Sequence, residues 1–199
     1  MKKYELTSET KIVFGHILYR IKALSSFGYV SAGDLGGFLE SEKNLSQNGN
    51  AWVSGNARVY GNAEVSGNAE VYGNAEVYGN ARVSGSAEVS GNARVYGNAE
   101  VSGNAWVSGN AEVSGSAEVS KIGSIFWIGA VGSRNDTATF FRCTDGVVRV
   151  TCGCFFGNLD EFAKKVRKTH GDNDHAKVYM LAIDMAKIRI STEKEKTEE

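Results

Sequence analysis

A six-residue repeat runs through the middle of this chain and constrains its architecture more than any other feature. From Ala51 to Ile122 the sequence reads as twelve hexapeptides of the form Ala-x-Val-(Ser/Tyr)-Gly-(Asn/Ser). The alternation of apolar and polar side chains in each unit predicts a short strand with alanine and valine pointing inward. The Gly-Asn pair that follows favours left-handed backbone conformations and predicts a corner.

Three units close one triangular coil of 18 residues, so the repeat predicts a parallel β-helix of about four coils. A period of 18 also sorts the outward side chains into columns. One column alternates in charge, and a column of tyrosines stands beside it. The charged column is Arg58, Glu76, Arg94 and Glu112, and the tyrosines are Tyr60, Tyr78 and Tyr96. The tyrosines either stabilise a narrow solenoid or form an oligomer interface, where tyrosine is enriched.

The segments on either side of the repeat predict separate units. Residues 1–50 predict N-terminal strands and a cap for the open end of the β-helix of residues 51–122. Residues 123–190 predict three strands followed by two helices, which is a small α+β C-terminal domain. Residues 191–199 are charged and predict a disordered tail. The predicted fold class is therefore mainly β: a parallel β-helix with a small α+β domain.

Charge is unevenly distributed, although the formal net charge of the chain is only −1. Residues 51–120 sum to −4 and residues 121–190 to +4, so an anionic partner would prefer the C-terminal part. The near-neutral total argues against a general nucleic-acid binder. The sequence has neither the roughly 20-residue apolar run of a membrane span nor the apolar stretch of a signal peptide. We therefore expect a cytoplasmic protein.

The segment Gly132–Thr137 is the main candidate for ligand binding. A glycine turn can direct backbone N–H groups at an anion, and neighbouring hydroxyl and guanidinium groups add donors. The residues expected to contact a phosphate or carboxylate are Gly132, Ser133, Arg134, Thr137 and Arg142. The alternative interpretation is a surface hairpin in which Asn135 and Asp136 simply make the turn.

Two cysteines and two histidines have the residue types of a zinc site, but their spacing does not match familiar zinc modules. They are Cys152, Cys154, His170 and His175. On a strand the two cysteines would share one face, so we expect them to pack against the helices. The sequence predicts no metal and no other cofactor.

Several short segments together resemble hexapeptide-repeat proteins encoded by bacteriophages and prophages, which are often labelled putative transferase. The segments that carry this resemblance are Leu18–Leu24, Gly33–Phe38, Glu42–Ser46, Gly132–Arg134 and Gly153–Phe155. The resemblance implies a left-handed β-helix that assembles as a homotrimer. By analogy with small viral proteins that counter host defence, it also implies capture of a nucleotide second messenger without catalysis.

Three functions follow as expectations. The first is a non-enzymatic accessory protein whose basic C-terminal domain binds an anionic small molecule such as a nucleotide. The second is an acyltransferase, although enzymes of that class generally use a solenoid histidine as base. Here the histidines lie outside the solenoid, and His16 or His170 would have to enter from a neighbouring unit. The third is a structural or interaction protein of the virion or host surface.

Overall fold

The computed structural model describes residues 2–190, so the predicted tail at 191–199 lies outside the described residues. These residues form a β-solenoid of about five turns followed by a small α/β region. Within residues 2–190, no helix combines the length and the apolar character that crossing a membrane requires.

An antiparallel hairpin covers the N-terminal end of the solenoid. It consists of β1 (Tyr4–Val13) and β2 (His16–Ala23), which turn at Phe14 and Gly15, both with positive φ. Strand β3 (Leu35–Leu39) pairs antiparallel with β2 and parallel with a strand of the solenoid. A short 3₁₀ helix follows at Glu42–Asn44. This irregular segment adds a turn to the four predicted from the repeat.

Each hexapeptide contributes one strand of two residues, formed by its variable position and its valine. Parallel pairing joins residues 18 apart, for example Arg58 with Glu76, as the predicted coil requires. The strands fall into three sheets, one of which continues into β3 and the hairpin. In chain order, β4 to β15 are Trp52–Val53, Arg58–Val59, Glu64–Val65, Glu70–Val71, Glu76–Val77, Arg82–Val83, Glu88–Val89, Arg94–Val95, Glu100–Val101, Trp106–Val107, Glu112–Val113 and Glu118–Val119.

The solenoid core consists of the stacked valines and alanines, and it is almost completely closed to solvent. The corners depend on glycine for two reasons that Gly73 illustrates. Its φ is +73°, and a Cβ there would stand 3.1 Å from the backbone nitrogen of Gly91 in the next turn. Side-chain amides at the corners form hydrogen-bonded ladders, such as Asn62 to Asn80 to Asn98. Alternation in the repeat therefore fills the interior, and glycine permits the turns to stack.

The C-terminal region is a four-stranded antiparallel sheet with two helices. The strands are β16 (Ile125–Val131), β17 (Asp136–Arg142), β18 (Val148–Cys152) and β19 (Phe155–Asn158). The helices are α1 (Leu159–His170) and α2 (Asp174–Arg189). The sequence predicted three strands, and β19 was missed. The sheet docks on the last solenoid turn, where Thr139 Oγ1 accepts a 3.0 Å hydrogen bond from the backbone N–H of Glu112.

Both helices begin at asparagine caps. Asn158 and Glu161 form a reciprocal capping box at α1, with both hydrogen bonds at 2.9 Å. The Asn173 side chain accepts from the N–H of Ala176 at α2. The buried face of α2 consists of Ala176, Tyr179, Ala182, Ile183 and Ala186.

Candidate anion-binding cleft

A cleft of about 310 Å³ opens beside helix α1, between the Gly132–Asp136 turn and the β18–β19 turn. Its floor is apolar and buried, whereas its rim is exposed and polar. The floor contains Cys152, Phe162, Val166 and Tyr179, and the rest of the lining is Ser133, Arg134, Cys154, Phe155, Lys165, Thr169 and His170. We call this the α1 cleft.

Arg134 is the cation that the two turns position at the rim. The turn between β16 and β17 places the Arg134 side chain over Gly153, where a Cβ would collide with the guanidinium group. Its Nη2 lies 3.8 Å from Asp136 Oδ2, while about two thirds of the side chain remains exposed. The planar guanidinium can therefore still present donors to an anion.

Tyr179 closes the floor of the cleft from helix α2. Its hydroxyl lies 3.7 Å from Cys152 Sγ and donates to the carbonyl of Val131 at 3.5 Å. Burial raises the pKa of the tyrosine hydroxyl well above its usual range, and burial also raises the pKa of the Cys152 thiol. Both groups therefore stay neutral near pH 7. Gly132 is required here, because a Cβ at that position would collide with the tyrosine ring.

Helix α1 adds positive charge to this side of the molecule. Four of its basic side chains are exposed: Lys164, Lys165, Arg167 and Lys168. One of them, Lys165, lines the cleft together with Thr169 and His170. An apolar floor with guanidinium, ammonium and hydroxyl groups at the rim fits a ligand that combines a ring with a phosphate or carboxylate.

Only part of the predicted binding set meets in this cleft. Gly132, Ser133 and Arg134 lie together, but Thr137 lines a different groove beside the solenoid. Arg142 is 7 % exposed and lies 3.9 Å from Glu118 of the solenoid. It therefore lies at the docked end of the sheet and does not line the α1 cleft, and its role as a ligand contact stays a prediction.

The cysteines do not share a face as the sequence suggested. Cys152 ends β18 and is buried, whereas Cys154 lies in the turn that Gly153 begins, with φ of +57°, and is exposed. The rings of His170 and His175 lie 5.6 Å apart. Among residues 2–190, no three His, Cys, Asp or Glu side chains are grouped so that they could hold a metal ion.

The tyrosine column is a stack of parallel rings. Tyr78 lies between Tyr60 and Tyr96, with ring centroids 5.1 and 5.0 Å apart. The N-terminal hairpin covers one end of this stack, because Tyr60 is 5 % exposed and packs with Val13 and Leu18. Tyr78 and Tyr96 are half-buried, so they are the two tyrosines of this column that a partner could reach.

Sequence reasoning missed Lys165 and Tyr179 as cleft residues. A signal for Lys165 exists in the spacing of α1, since Phe162, Val166 and Thr169 recur on the same helical face. No comparable signal exists for Tyr179, which comes from another helix.

A histidine–carboxylate pair lies at the opposite end of the molecule. His16 Nδ1 is 2.8 Å from Glu40 Oε1, and the other oxygen of Glu40 accepts a 2.7 Å hydrogen bond from the N–H of Gly61. These two hydrogen bonds lower the pKa of the Glu40 carboxyl. The imidazole also lies against the ring of Tyr60, with centroids 5.2 Å apart.

Comparison with known proteins supports the solenoid architecture. The family model for the YdcK β-solenoid repeat matches residues 51–67, 75–91, 87–103 and 93–109, all within the solenoid. The chain is thus similar to that family in its repeat. No curated protein matches the chain. The fold and the repeat define a repeat β-solenoid protein with a small C-terminal α/β region.

Proposed function

We propose that this chain is a non-enzymatic binding protein that holds an anionic, ring-containing small molecule in the α1 cleft. The observation that carries the proposal is the arrangement of Arg134 and Lys165 at the rim of a cleft whose floor is aromatic. Arginine suits a phosphate because its planar fork donates two hydrogen bonds at once, and lysine adds a point charge.

The aromatic side chains suit the other half of a nucleotide. Phe155 is partly exposed in the lining, and its ring packs on the buried Phe162 at a centroid distance of 5.1 Å. Such a ring can stack with any of the nucleobases, because every base has a π-face. The proposed ligand class is therefore a nucleotide, including cyclic second messengers.

The biological setting is proposed on the resemblance to phage and prophage proteins. In that setting the chain acts in the bacterial cytoplasm as a left-handed, homotrimeric solenoid and removes a signalling nucleotide from a host defence pathway. The basic balance of residues 121–190 supports an anionic ligand for this region.

Calorimetric titration with ATP, cyclic mononucleotides and cyclic dinucleotides tests the proposal. At least one should bind, and Arg134→Ala or Lys165→Ala should weaken it roughly tenfold or more, because each removes a charge-assisted contact. Lys168→Ala is the matched control, since Lys168 is an exposed lysine of the same helix that does not line the cleft. Equal loss in all three variants, or binding of none of these nucleotides, would reject the proposal.

The pair of His16 and Glu40 favours acyl transfer as a second candidate function. A carboxylate on Nδ1 orients an imidazole and leaves Nε2 to act as a general base. If the protein is an acyltransferase, it should transfer the acyl group of an acyl-coenzyme A to an amine or hydroxyl acceptor. His16→Ala should abolish that turnover while Arg134→Ala leaves it unchanged; absence of turnover from the wild-type protein would remove this candidate.

A further inference from the structure

Helix α2 carries an apolar stripe that faces away from the C-terminal sheet. The stripe consists of Val178, Leu181, Met185 and Ile188, which are 40, 64, 50 and 88 % exposed. The neighbouring Ala182 is buried on the sheet side. The exposed stripe is thus separate from the face that packs on the chain's own core.

The stripe continues across the surface to the last turns of the solenoid. An open hollow is lined by Phe126, Met185, Ile188 and Arg189. A second hollow shares Phe126 and Arg189 and extends to Ile122, Trp106 and Trp127. Trp106 is 47 % exposed and Ile122 is 50 % exposed, so the two hollows and the stripe form one apolar surface.

This surface is large enough to form an interface between subunits. The six exposed side chains, four in the stripe plus Trp106 and Ile122, are 40 to 88 % exposed, so together they present on the order of several hundred Å² of mostly apolar area. A specific interface covers about 800 Å² on each partner, polar rim included. Patches above a few hundred Å² mark sites of association.

The spacing within the stripe identifies the kind of partner. Its residues recur at intervals of 3, 4 and 3, which is the a/d pattern of a helix that packs against another helix of the same kind. Taking Val178 as position a places Asp184 at g and Arg189 at the following e position. In parallel helices a g residue faces the e′ residue five positions later on the neighbour, so these opposite charges meet.

We propose that α2 packs in parallel against α2 of a second copy of this chain, with Asp184 of one copy paired with Arg189 of the next. Identical parallel helices require a rotation axis along their length, which a closed cyclic oligomer provides. The interface then lies at α2 and the solenoid end, and the half-buried tyrosine column remains outside it. This inference concerns a different surface from the α1 cleft, so ligand binding and assembly can succeed or fail independently.

Multi-angle light scattering over a concentration series tests the proposal with the full chain. The wild type should be oligomeric, and Leu181→Asp with Ile188→Asp should be monomeric with unchanged circular dichroism, because both side chains are exposed within one chain. Ile12→Asp is the matched control: it places the same charge on another exposed isoleucine, in the N-terminal hairpin. Tyr78→Glu should also leave the oligomer intact.

Charge exchange tests the parallel arrangement. Asp184→Arg and Arg189→Glu should each weaken association, and the double variant should restore it, since the reversed pair can form between copies.

A wild type that stays monomeric at every concentration overturns the proposal, and its retention on phosphatidylcholine vesicles would assign the surface to lipid. An oligomer that survives the double aspartate variant, or dissociates with Tyr78→Glu alone, also overturns it. Single charge variants without effect would reject the parallel register.

Discussion

The guanidinium group of Arg134 occupies the space into which a side chain at position 153 would project. Gly153 has a φ of +57°, so this glycine supplies both a left-handed turn and the room in which the arginine lies. The turn between β18 and β19 thereby fixes the position of a residue in the turn between β16 and β17. Two turns far apart in sequence form one side of the α1 cleft.

Gly153→Ala should lower the free energy of unfolding by more than the cost of placing alanine at a positive φ. The conformational cost of alanine at positive φ is about 1 kcal/mol, and Arg134 must also move aside. Gly146→Ala isolates the first contribution, because Gly146 has a φ of +79° and open space around its missing side chain. Urea unfolding of both variants measures the difference. Arg134→Ala combined with Gly153→Ala should remove the excess; an excess that persists would show that Arg134 is not the obstacle.

Tyr78→Ser should cost about 1–3 kcal/mol of stability, because the central ring of the stack makes two aromatic contacts. Serine occupies the same position in other repeats, so the backbone tolerates it. Tyr72→Ser is the comparison: this tyrosine stands on another face and its hydroxyl is 3.1 Å from Glu88 Oε2. Thermal unfolding should rank Tyr78→Ser as the more damaging change, and equal losses would mean that stacking adds nothing.

The solenoid could be predicted because the sequence pattern that specifies it lies within each hexapeptide and recurs in every unit. Alternation defines the inward face of each unit, and glycine followed by asparagine or serine marks nearly every corner, so the columns of charge and tyrosine follow from the period alone. Strand β19 could not be predicted in the same way. It spans only Phe155–Asn158, begins directly after a tight turn and ends at a helix cap, so no alternation develops.

The packing of α2 and the full lining of the cleft depend on tertiary contacts that the sequence pattern does not contain. Helix α2 has apolar residues on more than one side, with Tyr179 and Ile183 facing the sheet and Leu181 facing outward. Periodicity finds each apolar face but does not say which one meets the chain's own core. The glycine turn places Ser133 and Arg134 in the lining of the cleft, whereas Lys165 reaches the cleft only through the docking of α1.

Lys3 should make the protein more stable as the pH rises from about 8 towards 9.5. Its ammonium is buried, donates to the carbonyl of Ala51 at 2.9 Å, and has its pKa lowered by burial to about 8. Above that pH the folded lysine releases its proton while the unfolded lysine, with a pKa of ~10.4, retains it. The contribution of Lys3 to the free energy of unfolding therefore increases over this window, on the order of 1 kcal/mol in total. The buried thiols of Cys143 and Cys152 act in the opposite direction, because their raised pKa values make the unfolded state lose protons first.

Lys3→Met should make the slope of unfolding free energy against pH less positive than in the wild type, and Lys2→Met should leave it unchanged, because Lys2 is exposed and pairs with Glu42. Urea unfolding at pH 7.5, 8.5 and 9.5 supplies the slopes. The series ends at pH 9.5 because unfolded tyrosines ionise at about pH 10. Equal slopes for the wild type and Lys3→Met would contradict the assignment to Lys3.

Glu40 should contribute stability at neutral pH that disappears in acid. Hydrogen bonds from His16 and from the N–H of Gly61 lower the pKa of its carboxyl in the folded protein. A lowered folded pKa means that the contribution is complete above the unfolded value of about 4.3 and is lost as the pH falls through the folded value. Glu40→Gln should therefore cost about 1 kcal/mol at pH 7 and less at pH 3.

The comparison with Glu64→Gln separates this effect from a general loss of negative charge, because Glu64 is exposed on another face of the solenoid. Chemical unfolding at both pH values should show a pH-dependent deficit for Glu40→Gln alone. A deficit of the same size at pH 3 and pH 7 would mean that the amide disturbs packing around His16 instead. The same variant bears on function, since an imidazole that has lost its orienting carboxylate should lose any base catalysis while nucleotide binding at the α1 cleft is unchanged.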